Sequence, residues 1–267
     1  GGTAGVAPLF CVPGGGTSVT GFMDLTGAVD PSWPVYGLQP RGLDRTSVSH
    51  STVQAAAEHY LPALRAAAPE GPVHLLGHSF GGWVAFEMAL RLRAAGRAVG
   101  SLTILDSEVP DESDAVIREC DAPDAFLKLV EVLELSAERS FGIAPADAHG
   151  RDEAGRLKLL HGKMLQHGLL HPRSTYEVMY GPLRAFARCV RTTYRPSGVY
   201  PDRLRLVLVP DPRKDEAGNR ALFEAVVRGW TRWAPALEFA AGAGNHVTAL
   251  KPPHVETLVR FLAEDRG

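Results

Sequence analysis

The sequence predicts an α/β fold with a mostly parallel central sheet and helices on both faces. Short apolar segments, which we interpret as buried strands, alternate along the chain with segments of helical spacing. This alternation is typical of parallel strands joined by crossover helices. A Gly-x-Ser-x-Gly sequence at residues 77–81 stands between one such strand and the helix that follows it. In sheets of this kind the reactive groups gather at the carboxyl ends of the strands.

The first half of the chain supplies four predicted strands and two predicted helices. Each strand is a short apolar run bounded by Gly, Pro or polar residues, and the helices are rich in good helix formers. Ser51 or Thr52 is a suitable N-cap for the first helix, which ends at Pro69-Glu70-Gly71. The predicted strands are residues 9–12, 33–38, 72–76 and 99–105, and the predicted helices are residues 51–68 and 82–95.

A change of character marks residues 110–172, where strand patterns are missing. Residues 125–135 and 154–166 have the spacing of amphipathic helices. A helical insertion at this place is expected to form a lid over a site at the sheet, and the alternative is a set of extra helices at one edge. The sequence therefore predicts one domain over residues 1–267, with a lid insertion at about residues 110–172.

The α/β pattern returns after the insertion. A long helix is predicted first, followed by a strand, a helix, a last strand, a glycine-rich loop that contains His246, and a closing helix. The predicted helices are residues 174–194, 221–233 and 255–264, and the predicted strands are residues 204–209 and 237–239.

The composition is that of an ordinary soluble globular protein, with a net charge of −2 and 45% hydrophobic residues. The charge pattern has no basic stripe, which argues against binding to nucleic acid or to a membrane surface. No apolar run approaches the length that spans a bilayer. The three cysteines, Cys11, Cys120 and Cys189, are far apart and predict neither a disulfide framework nor a zinc site. A reducing cytoplasm is the simplest location for such a chain.

Ser79 is the predicted nucleophile, because Gly-x-Ser-x-Gly between a strand and a helix is the sequence of a nucleophile elbow. The turn at such an elbow is tight, so the residues two positions before and after the serine must be small, and both are glycine here. The serine then lies at a helix N-terminus, whose free N–H groups favour developing negative charge.

A serine hydroxyl needs a base, usually a histidine oriented by a carboxylate. His246 follows the last predicted strand, where the chain order of the α/β-hydrolase fold places the base. His78 adjoins the serine and is expected to be structural. The acid remains open at this point, because Asp211 follows the penultimate strand and Asp106 follows the strand before it.

The triple glycine at residues 14–16 follows the first strand and is predicted to be an oxyanion loop rather than a plain turn. Without side chains, its backbone N–H groups can approach a substrate oxygen closely. Neither a G-x-G-x-x-G nor a Gly-Lys-Ser/Thr sequence is present, so the loop does not predict a nucleotide site.

Five segments of the chain, taken together, resemble the terminal (type I) thioesterase domains of nonribosomal peptide synthetases and polyketide synthases, within the α/β-hydrolase superfamily. The resemblance runs from about Pro8 to the end of the chain and is weak across the insertion. The segments are LFCVPGGG at 9–16, VYGLQPRGLD at 35–44, VHLLGHSFGGWVAFEM at 73–88, SLTILDS at 101–107 and Asn245-His246.

The resemblance implies the nucleophile at Ser79, the base at His246 and the acid at Asp106. It also implies oxyanion donors at the backbone N–H groups of Phe80 and Gly15. The implied reaction is acyl transfer from an upstream acyl or peptidyl carrier protein, with the chain delivered as a thioester on phosphopantetheine. The domain would need no cofactor or metal of its own, and the chain would leave by hydrolysis or macrocyclisation.

Three alternatives remain beside this interpretation. The first is a free-standing type II editing thioesterase, and the second is a general serine esterase or lactone hydrolase on the same fold. The third, a binding protein without chemistry, is disfavoured because Ser79, Asp106 and His246 are all in place.

Overall fold

The computed structural model describes residues 6–44, 46–110 and 119–266. Within these residues six strands form one sheet with the order β2-β1-β3-β4-β5-β6, and every neighbouring pair is parallel. This confirms the α/β fold expected from the sequence. The strands are β1 (Leu9–Val12), β2 (Val35–Gly37), β3 (Val73–His78), β4 (Val99–Leu105), β5 (Leu204–Leu208) and β6 (Leu237–Ala241).

Helices connect the strands, and several begin at a residue whose side chain accepts a hydrogen bond from the third backbone N–H of the helix. Thr52 caps the second helix in this way, and Asp121, Asp152 and Asp215 cap later ones. The helices are α1 (Met23–Ala28), α2 (Val53–Ala67), α3 (Phe80–Ala94), α4 (Ala122–Ala137), α5 (Pro145–His149), α6 (Glu153–Gln166), α7 (Tyr180–Arg191), α8 (Glu216–Thr231) and α9 (Val255–Arg266). Short 3₁₀ turns lie at Val19–Phe22, Tyr176–Met179 and Thr248–Leu250.

The central strands β1, β3, β4 and β5 are mostly buried on both faces, as near-continuous apolar strands require, and the edge strands β2 and β6 are more exposed. Successive side chains of a strand point to opposite faces, so Phe10 packs on one side and Leu9 on the other. The first side is covered mainly by α2, α3 and Trp230 of α8. The opposite side is covered by α1 and α9. Helices on both faces confirm the predicted layering.

The predicted insertion is helical in its described part and packs around an apolar cluster of its own. Residues 111–118, at its beginning, lie outside the described residues. The cluster is formed by Phe126, Leu129, Val130, Phe141, Ala148, Leu157, Leu160, Met179, Leu183 and Phe186. Its members come from α4, α6 and α7 and from the segments between them.

The segment 174–194 differs from its prediction as one long core helix. A 3₁₀ turn precedes α7, which runs only from Tyr180 to Arg191. Leu183 and Phe186 of α7 join the cluster of the insertion, because α7 packs against α4. Tyr194, three residues after the helix, does reach the core beside the sheet. The apolar cluster around α4 and α6 therefore continues beyond residue 172 into α7.

Two smaller differences concern the start of the chain and the elbow. The short helix α1 was not predicted, and it contributes Leu25 to the core. Strand β3 continues to His78 and α3 begins at Phe80, so the connection predicted at residues 77–81 is one residue long. None of the helices in the described parts of the chain has the length and apolar character needed to cross a membrane.

The close packing of one glycine in α7 leads to a testable prediction about how α7 packs against the loop after β2. A Cβ at Gly181 would lie 2.6 Å from the carbonyl carbon of Leu43, so α7 approaches the backbone of the loop after β2 too closely for a side chain. Gly181→Ala should lower the free energy of unfolding by about 1–3 kcal/mol, because the backbone contact must open. Urea unfolding followed by circular dichroism measures this.

Gly162→Ala in α6 is the matched control, since a Cβ at Gly162 meets no atom within 4 Å. Alanine is the better helix former there, so this variant should be more stable than the wild type by up to about 1 kcal/mol. A Gly181→Ala variant as stable as the wild type would contradict the docking described.

Candidate active site

Ser79 occupies the one-residue connection between β3 and α3, with φ 54° and ψ −127°. This is a conformation that residues with a side chain rarely adopt. The chain can fold this tightly only because Gly77 and Gly81 carry no Cβ. A Cβ at Gly81 would lie 2.5 Å from the carbonyl oxygen of Pro13, and one at Gly77 would lie 2.5 Å from the Cα of Gly82. The geometry is that of a nucleophile elbow.

Backbone and side-chain hydrogen bonds hold the elbow in place. The N–H of Ser79 donates to the carbonyl of Leu105 at 2.8 Å. The carbonyl of Ser79 accepts from the Gly82 N–H at 2.8 Å and from the Ser107 hydroxyl at 2.5 Å. Ser107 follows Asp106 directly, so the turn after β4 and the elbow are joined. Sequence reasoning gave Ser107 no role, although its place in the segment SLTILDS was a usable signal.

Asp106 begins the turn after β4 and has a positive φ of 47°. Its N–H donates to the carbonyl of Val207 at 2.8 Å, which ties the turn to β5. Its Oδ2 lies 2.6 Å from Nδ1 of His246. Because a carboxylate only accepts, Nδ1 of His246 carries the proton in this bond and Nε2 is left to accept one. This is the tautomer that a general base needs.

Asp211, the other acid left open by the sequence, has a different partner. Its carboxylate accepts from Nε of Arg213 at 2.9 Å and from Nη2 at 3.1 Å. The bond to Arg213 lowers the pKa of Asp211 below its ordinary value. Arg213 in turn reaches Glu131 of α4 at 3.2 Å. The structure thus brings His246 to Asp106 and pairs Asp211 with an arginine.

His78 is buried beneath the site and supports it, as expected for a structural residue. Its Nε2 lies 2.7 Å from the carbonyl oxygen of His246, to which it donates. The two rings are 4.9 Å apart between their centroids. Burial, and then the charge of His246 when it is protonated, lower the pKa of His78 to about 4. His78 is therefore neutral near neutral pH.

The two predicted oxyanion donors lie at the same place as the serine. Phe80 is the first residue of α3, and the first N–H groups of a helix have no acceptor within it. The triple-glycine loop packs on the elbow, since a Cβ at Gly14 would lie 3.2 Å from Cβ of Ser79. Gly15 packs against α7, because a Cβ at Gly15 would lie 2.8 Å from Cβ of Cys189 in that helix. Gly15 and Phe80 both line the cavity described next.

A cavity of about 470 Å³ contains Ser79, Asp106 and His246 in its wall. Its size is within the range of small-molecule sites in proteins. Helix α4 of the insertion forms one side with Lys128, Glu131, Val132 and Leu135, and α7 adds Phe186, Cys189 and Val190. Helix α8 adds Leu222, Phe223 and Val226. Helices α4 and α7 therefore line the cavity beside Ser79, Asp106 and His246, and the lid stays a prediction.

One further group of polar side chains lies outside the cavity. Asp121, Asp124 and His149 bring ligand atoms within 4.8 Å of one another, and all three are exposed. The carboxylate of Asp121 caps α4 by accepting from the N–H of Asp124, which accounts for its position. We therefore describe the group as part of the helix cap.

The neutral, buried His78 predicts a loss of stability in mild acid. The unfolded state takes up a proton below its ordinary pKa of 6.5, while the folded state resists protonation down to about pH 4. Stability should therefore fall as the pH drops through this window. Between about pH 7.5 and about pH 5, His78 should account for about 2 kcal/mol of the loss.

In His78→Gln the side-chain amide can still donate to the carbonyl of His246 but cannot titrate. Urea unfolding at the two pH values should show a smaller loss in this variant than in the wild type. His171→Gln, which removes an exposed histidine of the insertion, is the control and should behave as the wild type. An equal loss in His78→Gln and the wild type would contradict the prediction.

Comparison with known proteins identifies the family of the chain. The family model described as Thioesterase domain matches residues 7–145, just over half of the chain. The non-canonical nonribosomal peptide synthetase CymA of Salinispora arenicola is 42% identical over 130 residues, which are 47% of this chain and 2% of CymA. The chain thus spans a very small part of the length of that relative.

Solved structures of low sequence identity share the fold. The four-domain nonribosomal peptide synthetase AB3403 superposes with a TM-score of 0.80 at 18% identity, over 98% of this chain and 19% of that one. The type II thioesterase BorB from the borrelidin biosynthetic cluster superposes with a TM-score of 0.65 at 22% identity, over 100% and 95% of the two chains. Sequence and fold together place this chain in the Thioesterase domain family, whose members are hydrolases of the α/β-hydrolase fold.

Proposed function

We propose that this chain is a serine thioesterase that releases an acyl or peptidyl chain from the phosphopantetheine thioester of an upstream carrier protein. The observation that carries the proposal is the 2.6 Å hydrogen bond from Nδ1 of His246 to Asp106, in a cavity whose wall also holds Ser79 at a strained elbow. A nucleophile, a base hydrogen-bonded to a carboxylate and a cavity that can hold an acyl group are the parts that acyl transfer requires.

The first half-reaction forms an acyl-enzyme. Nε2 of His246 takes the proton of the Ser79 hydroxyl as Oγ attacks the thioester carbonyl. The N–H groups of Phe80 and Gly15 hold the oxyanion of the tetrahedral intermediate. Asp106 keeps the imidazole in the required tautomer and stabilises its protonated form. The intermediate collapses, the C–S bond breaks, and His246 returns its proton to the departing thiolate.

The second half-reaction releases the chain. Water, or a hydroxyl or amine of the bound chain itself, loses a proton to His246 and attacks the ester carbonyl on Ser79. The bond between the acyl carbon and Oγ of Ser79 then breaks, and His246 returns its proton to Oγ. Water gives a free acid, and an internal nucleophile gives a macrocycle. The insertion, including α4, acts as the lid that shapes the acyl site, and we regard the chain as one α/β-hydrolase domain that carries this lid.

The carrier protein is the proposed partner, and phosphopantetheine comes to the site as part of the substrate. The proposal is supported by the relative CymA, which is named as a nonribosomal peptide synthetase. The domain itself needs no cofactor for this chemistry, since every group used in the two half-reactions belongs to the chain or to the substrate.

The fold of BorB, named as a type II thioesterase, keeps the free-standing editing enzyme as a second candidate. An editing enzyme hydrolyses short, stalled acyl groups, whereas a terminal domain acts on a finished chain. Comparing hydrolysis of acetyl and long-chain carrier-bound thioesters separates the two. Preference for the acetyl carrier would favour the editing role.

Enzyme kinetics can test whether Asp106 or Asp211 is the carboxylate that orients His246. Asp106→Asn should lower kcat for an acyl N-acetylcysteamine thioester by about 10⁴-fold, because the imidazole loses its orienting carboxylate. Ser79→Ala should lose at least as much. Asp211→Asn is the matched control and should stay within about tenfold of the wild type, since its partner is Arg213.

Thiol release measured with a chromogenic disulfide gives these rates. An Asp211→Asn variant that is the more severely impaired would show that the acid is assigned to the wrong residue. A wild type that hydrolyses oxygen esters but no thioester would contradict the proposed substrate class and favour a general esterase.

A further inference from the structure

Asn245 stands directly before His246 and is buried, with 8% of its surface exposed. Its Oδ1 accepts from the N–H of Val247 at 2.9 Å and from the N–H of Thr248 at 3.0 Å. The N–H of Asn245 donates to Oγ1 of Thr248 at 2.9 Å. These three bonds close a turn around His246. The backbone of the base is therefore set by the side chain of its neighbour.

The amide nitrogen of the same side chain points to a different element. Nδ2 of Asn245 donates to the carbonyl oxygen of Leu135 at 3.2 Å. Leu135 lies in the last turn of α4, where the carbonyl groups have no donor within the helix. Leu135 also lines the cavity, together with Val132 and Lys128 on the same face of α4. From Leu135 to Lys128 this face extends about 10 Å along the cavity.

The side chain of Asn245 thus joins the turn of His246 to the lid helix α4. Only an amide can both accept hydrogen bonds from the turn and donate one to Leu135. A carboxylate at this position would accept from the turn but could not donate to Leu135. A second link joins the same two elements farther out, where Nζ of Lys251 donates to Oγ of Ser136 at 3.0 Å. That link is exposed and is made by the side chain of Lys251, whose backbone N–H donates separately to the carbonyl of Thr248 at 2.9 Å.

We propose that Asn245 is a positioning residue that couples the lid helix α4 to the base His246. Its Oδ1 fixes the backbone of His246, and its Nδ2 fixes the distance between that backbone and the face of α4 that an acyl chain contacts. A long acyl chain that presses on α4 therefore acts on the position of His246 through Asn245, while a short one does not reach it. The inference rests on the proposed role of His246 as the base.

Two variants test the roles of Oδ1 and Nδ2 of Asn245 separately, and a third variant is the control. Asn245→Ala removes both functions. Asn245→Asp keeps the acceptor for the turn and removes the donor to Leu135. Lys251→Ala breaks only the exposed outer link. Each is compared with the wild type in kcat and KM for acetyl and decanoyl N-acetylcysteamine thioesters, and in the rate at which a fluorophosphonate labels the protein.

Asn245→Ala should lower kcat for both substrates on the order of 10²-fold, because a displaced base costs about that much. Its labelling rate should fall in parallel, and its KM for the acetyl substrate should change little. Asn245→Asp should be labelled faster than Asn245→Ala, because it keeps the acceptor for the turn, and its kcat/KM should fall about tenfold more for the decanoyl substrate than for the acetyl substrate. Lys251→Ala should stay within about twofold throughout.

Three results would overturn the coupling. The first is an Asn245→Ala variant that is labelled as fast as the wild type. The second is an Asn245→Asp variant that is impaired equally on both substrates, which would leave Nδ2 without a separate role. The third is a Lys251→Ala variant with the same chain-length effect as Asn245→Asp, which would assign the effect to any link between loop and lid. If Asn245→Ala does not fold, the comparison of Asn245→Asp with Lys251→Ala decides.

The labelling rate keeps the inference separate from the proposed function. If the wild type is labelled but hydrolyses no thioester, the substrate class is wrong, and the labelling rates of Asn245→Ala and Asn245→Asp still decide whether Asn245 positions the base. If the wild type is not labelled at all, Ser79 has no working base, and both proposals fail.

Discussion

The backbone conformation at Ser79 is the constraint on which the rest of the site depends. Strand β3 turns into α3 through a single residue, which requires φ 54° at a residue that has a side chain. Conformations of this kind cost on the order of 1–3 kcal/mol and persist only where the surroundings enforce them. Here the enforcement comes from glycines packed against the neighbouring backbone and from the hydrogen bond between Ser107 and the carbonyl of Ser79. The conformation places the serine at the wall of the cavity and at a helix N-terminus.

The parallel sheet brings the partners of the serine to the same edge. Strands β1, β3 and β4 are neighbours, so the triple-glycine loop, Ser79 and Asp106 leave the sheet side by side. His246 follows β6 in the chain. The carbonyl of His246 accepts a hydrogen bond from His78, and the ring of His246 donates one to Asp106. Because His78 is neutral near neutral pH, it does not oppose a positive charge on His246.

The sequence was most informative where a single backbone requirement forces a residue type. Gly77 and Gly81 could be interpreted without a structure because no other residue fits beside the elbow, and strand β4 was predicted with its observed bounds. The insertion was predicted as helical, but α7 was assigned to the core. Amphipathic spacing shows that a helix has a buried face and does not show what that face is buried against.

The acid and the supporting residues could not be derived from local pattern for a related reason. Asp106 and Asp211 each follow a strand in a parallel sheet. Only the fold shows that Asp106 is hydrogen-bonded to His246 and that Asp211 is paired with Arg213. Ser107 and Asn245 act through contacts with residues 28 and 110 positions away in the chain. No periodicity within a segment carries such information.

The proposed mechanism requires that a thioester acylates Ser79 covalently. Intact-protein mass spectrometry after brief incubation with an acyl pantetheine thioester, followed by peptide mapping, tests it directly. We expect a mass gain equal to the acyl group, located on the peptide that contains Ser79 and missing in Ser79→Ala. Acylation at another residue, or turnover of the thioester by Ser79→Ala at the wild-type rate, would contradict it.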